Sequence, residues 1–123
     1  MASIISNYLV FGSPPNLKLR PITNLGYMEM ISFEEAQVVL DNLDNVFDNH
    51  AFIFKYIELF ENEYVGLLTR NKDHNDVFQT VNATIGRDLE RFSSSLFIEK
   101  SGRKVSFNIK GNETDNQNWR KVE

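Results

Sequence analysis

Apolar positions between residues 33 and 47 recur at spacings of three and four. Phe33, Ala36, Leu40, Leu43 and Phe47 line one face, Val39 and Val46 widen it, and Glu34, Asp41, Asp44 and Asp48 carry charge on the opposite face. This is the period of an amphipathic helix. The run Ser32-Phe33-Glu34-Glu35 fits a capping box, in which the Ser32 hydroxyl accepts from a first-turn amide and Glu35 reaches back to the Ser32 amide, so the helix is predicted to begin at Phe33. Asp48, Asn49 and His50 are poor helix formers, and a carboxylate at a helix C-terminus opposes the dipole, so they are predicted to end it.

Residues 51 to 60 are rich in β-branched and aromatic types, and Glu61-Asn62-Glu63 separates them from Tyr64-Val65-Gly66-Leu67-Leu68-Thr69. That composition predicts a β-hairpin. Phe52, Tyr56 and Phe60 are also spaced by four, which leaves a helix as the alternative for 51 to 60. After a polar turn at 71 to 75, Val77, Val81, Ile85, Leu89 and Phe92 predict a second amphipathic helix, with Phe78 beside the stripe and Gly86 inside it. Ser93-Ser94-Ser95 is predicted to end it. Leu96 and Ile98 then share an apolar face with Val105, Phe107 and Ile109 if Ser101-Gly102-Arg103 is a turn, which predicts a second hairpin.

Before the first helix, Ser3 to Phe11, Leu17 to Ile22 and Tyr27 to Ile31 read as strands. The implied class is α+β: an antiparallel-rich sheet with two helices on one face, in the β-α-β-β-α-β order of a split βαβ (ferredoxin-like) sandwich, with extra N-terminal and C-terminal strands. The predicted organisation is a single domain over residues 1–110 and a loosely held polar tail over 111–123 that carries the only tryptophan, Trp119.

Composition narrows the chemistry. With 13 basic against 17 acidic residues the 123-residue chain is mildly acidic, which makes nucleic acid an unfavoured partner. The absence of cysteine removes disulfides, thiolate nucleophiles and Cys-ligated metals. No stretch has the apolar length of a membrane span, and Ser3 to Phe11 lacks a preceding basic residue, so a cytoplasmic protein with no membrane partner is expected. Fourteen asparagines accompany a phage-, plasmid- or bacteria-like compositional bias.

Candidate catalytic groups are sparse. His50 and His74 stand in Asp- and Asn-rich connections without the i, i+4 partner of a zinc helix, and Glu58, Glu61 and Glu63 cluster around the predicted hairpin turn. No catalytic, metal or cofactor residue is assigned. The richer signal is for partners. The acidic helix face, Glu34, Asp41, Asp44 and Asp48, suits a basic protein, while a strand over 51–60 is apolar on both faces, Phe52, Phe54, Tyr56 and Phe60 on one and Ile53, Ile57 and Leu59 on the other, and two helices cover only one face of a sheet. Trp119 and Arg120 are of the types enriched at binding hot spots. The expectation is a non-enzymatic protein-binding module, such as a small inhibitor, immunity or regulatory protein, with a homodimer as another way to cover the aromatic face. Two alternatives are carried: a ligand-binding or hydrolytic domain with a pocket under 51–60, using Tyr56, Glu58, His50 or His74, and an RNA-binding sheet centred on Tyr64 to Leu68.

Overall fold

The capping box predicted at Ser32 is formed in the computed structural model, which describes residues 29–122. Glu35 N donates to Ser32 Oγ and Ser32 N to Glu35 Oε1, each at 3.0 Å, and α1 runs from Phe33 to Asp41. The order that follows is β1 (Val46–Asp48), α2 (Asn49–Leu59), α3 (Glu61–Arg70), α4 (Val77–Leu96), β2 (Ile98–Phe107) and β3 (Glu113–Lys121). The class is α+β, with four helices and a three-stranded antiparallel sheet of order β1-β3-β2 among the described residues.

Residues 51–69, expected as a hairpin, are helical. Asp48 does not end the first helix; it caps the next, its Oδ1 accepting from Ala51 N at 2.8 Å. From that cap the four-residue spacing places Phe52 and Tyr56 in the core, with Tyr56 stacked on Phe60 (5.4 Å between centroids) and edge-on to Tyr64 of α3 (6.3 Å). Burial against α1, α3 and α4 overrides the β propensity of these residues. Among the described residues the β-α-β-β-α-β order is therefore replaced by α-β-α-α-α-β-β, with four helices in place of two. The expected strands at 3–11 and 17–22 lie outside the described residues; of 27–31, the described part, 29–31, is a bend rather than a strand.

The apolar stripe of α1 is cut short by Asn42, whose Nδ2 donates to Val38 O at 2.9 Å, and is continued by the strand residue Phe47. Lys121, on β3, completes the helix end from outside: its Nζ donates to Leu40 O and Leu43 O at 2.8 and 2.7 Å. A cation on the last carbonyls of a helix satisfies otherwise orphaned acceptors and complements the dipole. Helix α4 passes through the three serines to Leu96 and ends at Phe97, which adopts a left-handed conformation (φ 59°, ψ 48°).

The expected loose tail is instead the middle strand of the sheet. Residues 113–121 pair with β2 along their length and with β1 at Val46↔Arg120, Phe47↔Trp119 and Asp48↔Asn118. Trp119 is 2% exposed and belongs to the same core cluster as Phe47, Phe52, Ile85 and Leu89. The residues taken for a turn, Ser101 and Gly102, form a bulge in β2 where the register shifts between Lys100 and Arg103. Gln117 Nε2 and Asn118 Nδ2 bridge it by donating to Gly102 O and Ser101 O. The second strand of the predicted hairpin therefore belongs to the same strand as the first, and its apolar face is solvent-exposed: Val105 is 61% and Phe107 57% exposed.

Candidate functional site

A cleft of about 590 Å3 opens between the first turns of α2 and α4 and the far half of the β2–β3 hairpin. Its floor is a hydrogen-bonded chain that starts at a buried carboxylate. Asp48 Oδ2 accepts from Ser106 Oγ at 2.6 Å and from Asn116 Nδ2 at 3.3 Å. Ser106 has spent its one proton on that carboxylate, so it accepts from His50 Nδ1 at 2.7 Å. The neutral imidazole then carries its proton on Nδ1, and Nε2 accepts from Thr114 Oγ1 at 3.3 Å. Asn116 closes the loop, accepting from His50 N at 3.0 Å and donating to Lys104 O at 2.9 Å.

Burial raises the Asp48 pKa, but hydrogen bonds from Ser106, Ala51 N and Asn116 outweigh it and hold the carboxyl below its ordinary value. Asp48 is thus an anionic anchor joining the N-terminus of α2 to the hairpin. Behind the lining residue Asn82, burial pushes the Tyr64 hydroxyl pKa upward, an effect only partly offset by its bond to Asn82 Oδ1 at 2.8 Å.

The four Asp, Arg and Lys residues that line the cleft pair off. Lys110 Nζ meets both carboxylate oxygens of Asp76 at 3.2 Å, and Arg103 Nε meets Asp115 at 2.9 Å. What remains is carboxamide and apolar surface. Three asparagines have their oxygens committed: Asn49 to the Trp119 indole at 2.7 Å, Asn82 to Tyr64, and Asn108 to the amides of Lys110 and Asn112, each at 3.0 Å. Their Nδ2 groups have no hydrogen-bond partner among the described residues. Ile53, Phe54, Phe78 and Ile109 supply the apolar part of the lining.

The residues singled out from sequence separate into two groups. Glu34, Asp41, Asp44, Phe54 and Arg120 are exposed, and Phe60 is half-buried. Phe52, Tyr56 and Trp119 are core residues, and Asp48 is 4% exposed, so none of these four presents a face to a partner. Asp48 also leaves the acidic helix face, of which Glu34 and Asp41 on α1 and Asp44 after it remain. Arg120 pairs with Glu99 across the sheet.

Of the histidines, His50 lines the cleft and His74 is exposed in the connection before α4. Glu61 and Glu63 occupy the first turn of α3, where carboxylates favour the helix dipole, and Glu58 pairs with Lys55 at 3.0 Å. Tyr64 to Leu68, expected as a base-stacking strand, is part of α3, which removes the basis of the RNA-binding reading.

Sequence reasoning missed Ser106, Thr114 and Asn116. The only signal is parity: Ser106 alternates with the apolar Val105 and Phe107, and the face it occupies is the one turned to His50.

Among the described residues no group of three or more His, Cys, Asp or Glu is placed to hold a metal ion, and no helix is long and apolar enough to cross a membrane. No protein-family profile, curated protein or solved structure matches this chain.

Proposed function

We propose that the chain is a non-enzymatic protein-binding module that engages its partner through the outer side of strand β2. The observation that carries this reading is the exposure of Val105 and Phe107, 61% and 57%, on a ten-residue strand at the edge of the sheet. By alternation these two side chains share one face, while Ser106 points the other way to Asp48. No strand pairs with the outer edge of β2 among the described residues. A long edge with exposed apolar residues is a template for an added strand, with main-chain bonds giving affinity and alternate side chains giving selectivity. Glu34, Asp41 and Asp44 form a smaller acidic patch that suits a basic partner. Small size, mild acidity and these surfaces favour an inhibitor, immunity or regulatory role in the cytoplasm.

The test is a photo-crosslinking amino acid placed at position 107 in cells producing the protein. A discrete protein adduct that disappears with Val105→Lys supports the reading, and an adduct with a second copy identifies a homodimer edge. Adducts formed only from position 41 or 44 move the interface to the acidic patch and overturn the assignment to β2. The absence of adducts from all three positions counts against the binding-module reading itself.

A further inference from the structure

The geometry points to a second, distinct binding site: the cleft accepts an extended, uncharged peptide segment alongside the open edge of β3. Strand β1 pairs with β3 only at residues 118–120, whereas β2 pairs with it from 113 to 121. On the β1 side, residues 113–117 therefore have no strand neighbour among the described residues. The chain that would have continued β1 turns away at Asp48 into α2, and residues 114–117 line the cleft where that continuation is missing. A strand laid there meets the main-chain donors and acceptors that every second residue of an antiparallel strand directs to that side.

The rest of the lining fits the same occupant. Asn82 and Asn108 hold their oxygens in internal bonds and leave Nδ2 groups as oriented neutral donors, complementary to peptide carbonyls. Ion pairing of Asp76 with Lys110 and of Arg103 with Asp115 leaves no uncompensated charge to reward a phosphate, a carboxylate or a cation, and a charged ligand would be desolvated without a partner. Phe54 and Phe78 offer apolar contact for alternate side chains. A cleft of about 590 Å3 is of the size that binding pockets typically have.

The site is independent of the outer side of β2, and the experiment separates the two. A capped seven-residue peptide alternating valine and threonine is titrated into the isotope-labelled full chain, with lysine- and glutamate-substituted peptides and a peptide N-methylated at alternate residues as comparisons. Saturable amide shifts are expected at 113–117, in the first turn of α2 and in the first turns of α4. N-methylation in the register that faces β3 is expected to weaken binding by about tenfold or more, as is Phe54→Lys, whereas Val105→Lys leaves it unchanged. Because the N-methyl comparison uses the unmodified protein, it stands even where a variant misfolds. Absence of saturable shifts with the uncharged peptide, equal binding of the N-methylated peptide, tighter binding of a charged one, or shifts confined to β2 overturns the proposal.

Discussion

The indole N–H of Trp119 donates to Asn49 Oδ1 at 2.7 Å, tying the middle strand of the sheet to the first residue of α2. Indole has a single donor and no acceptor, so when buried it depends on this one partner. Asn49→Ala leaves that donor unsatisfied and is expected to cost about 1–3 kcal/mol in urea unfolding. Trp119→Ala removes the largest side chain of the core and is expected to cost about 3–5 kcal/mol, read by circular dichroism because the fluorophore is lost.

Gly86 lies behind the same asparagine. A Cβ at this position would sit 3.0 Å from Asn49 Nδ2, and Asn49 is held in place by Trp119. Gly→Ala in a helix interior ordinarily gains about 1 kcal/mol, but here the clash opposes it. Gly86→Ala is therefore expected to be neutral or destabilising alone, and stabilising by up to about 1 kcal/mol in an Asn49→Ala background. A double-mutant cycle with additive effects would show that Gly86 does not accommodate Asn49.

Asp88, fully buried on α4, accepts from Met30 N and Ile31 N at 2.7 and 3.1 Å and so fixes the chain entering α1. Asp88→Ala strips both amides of their acceptor, at about 1–3 kcal/mol each when they stay buried. Hydrogen exchange is expected to accelerate most at Met30 and Ile31. Unchanged protection there would mean that another group holds the segment.

Stability should fall in acid through Asp48. Its folded pKa lies below the ordinary value of 3.8, so the unfolded chain takes up the proton first as pH drops. The contribution is present in full above about pH 4 and is lost as pH falls through the folded pKa. Asp48→Asn keeps an N-cap oxygen but cannot titrate, so its urea midpoint should vary less between about pH 5 and 2 than that of the unmodified chain. Parallel pH profiles would show that the network does not need the anion.

Phe97 occupies a left-handed conformation at φ 59° while its side chain is 65% exposed. This backbone region costs a non-glycine residue about 1–2 kcal/mol, and little packing offsets it. Phe97→Gly is expected to raise the thermal midpoint, with a gain of up to about 1 kcal/mol after the extra freedom of glycine in the unfolded chain. A lower midpoint would show that the ring contributes contacts worth more than the backbone strain.

The parts legible in sequence were those that local rules decide. Ser32 and Glu35 announce α1 within four residues, and Val77 to Phe92 carry a period that tertiary packing had only to accept. Asp48 was misread because the same side chain that disfavours a helix end is among the best helix caps, and only the three-dimensional turn at β1 chooses between them. The i+4 spacing of Phe52, Tyr56 and Phe60 was the correct signal against a composition that favoured strand. The last strand was invisible for another reason. Asn116, Gln117 and Asn118 sit in the middle of a sheet because their side chains bond Lys104, Gly102 and Ser101, and no pairwise propensity encodes a partner more than ten residues away. His50, read as a polar loop histidine, stands instead in the first turn of α2, and its partners Ser106 and Thr114 depend on a register set by β3.

The position of β3 in the chain also has a temporal meaning. Strands β1 and β2 do not pair with each other; both pair with residues that follow them, and Val46 waits for Arg120. A chain emerging from the ribosome therefore carries its helices and two unpaired strands before the strand that joins them exists. The exposed apolar side chains of β2 and two unpaired strand edges coexist throughout that interval, the combination that makes partly folded chains prone to associate.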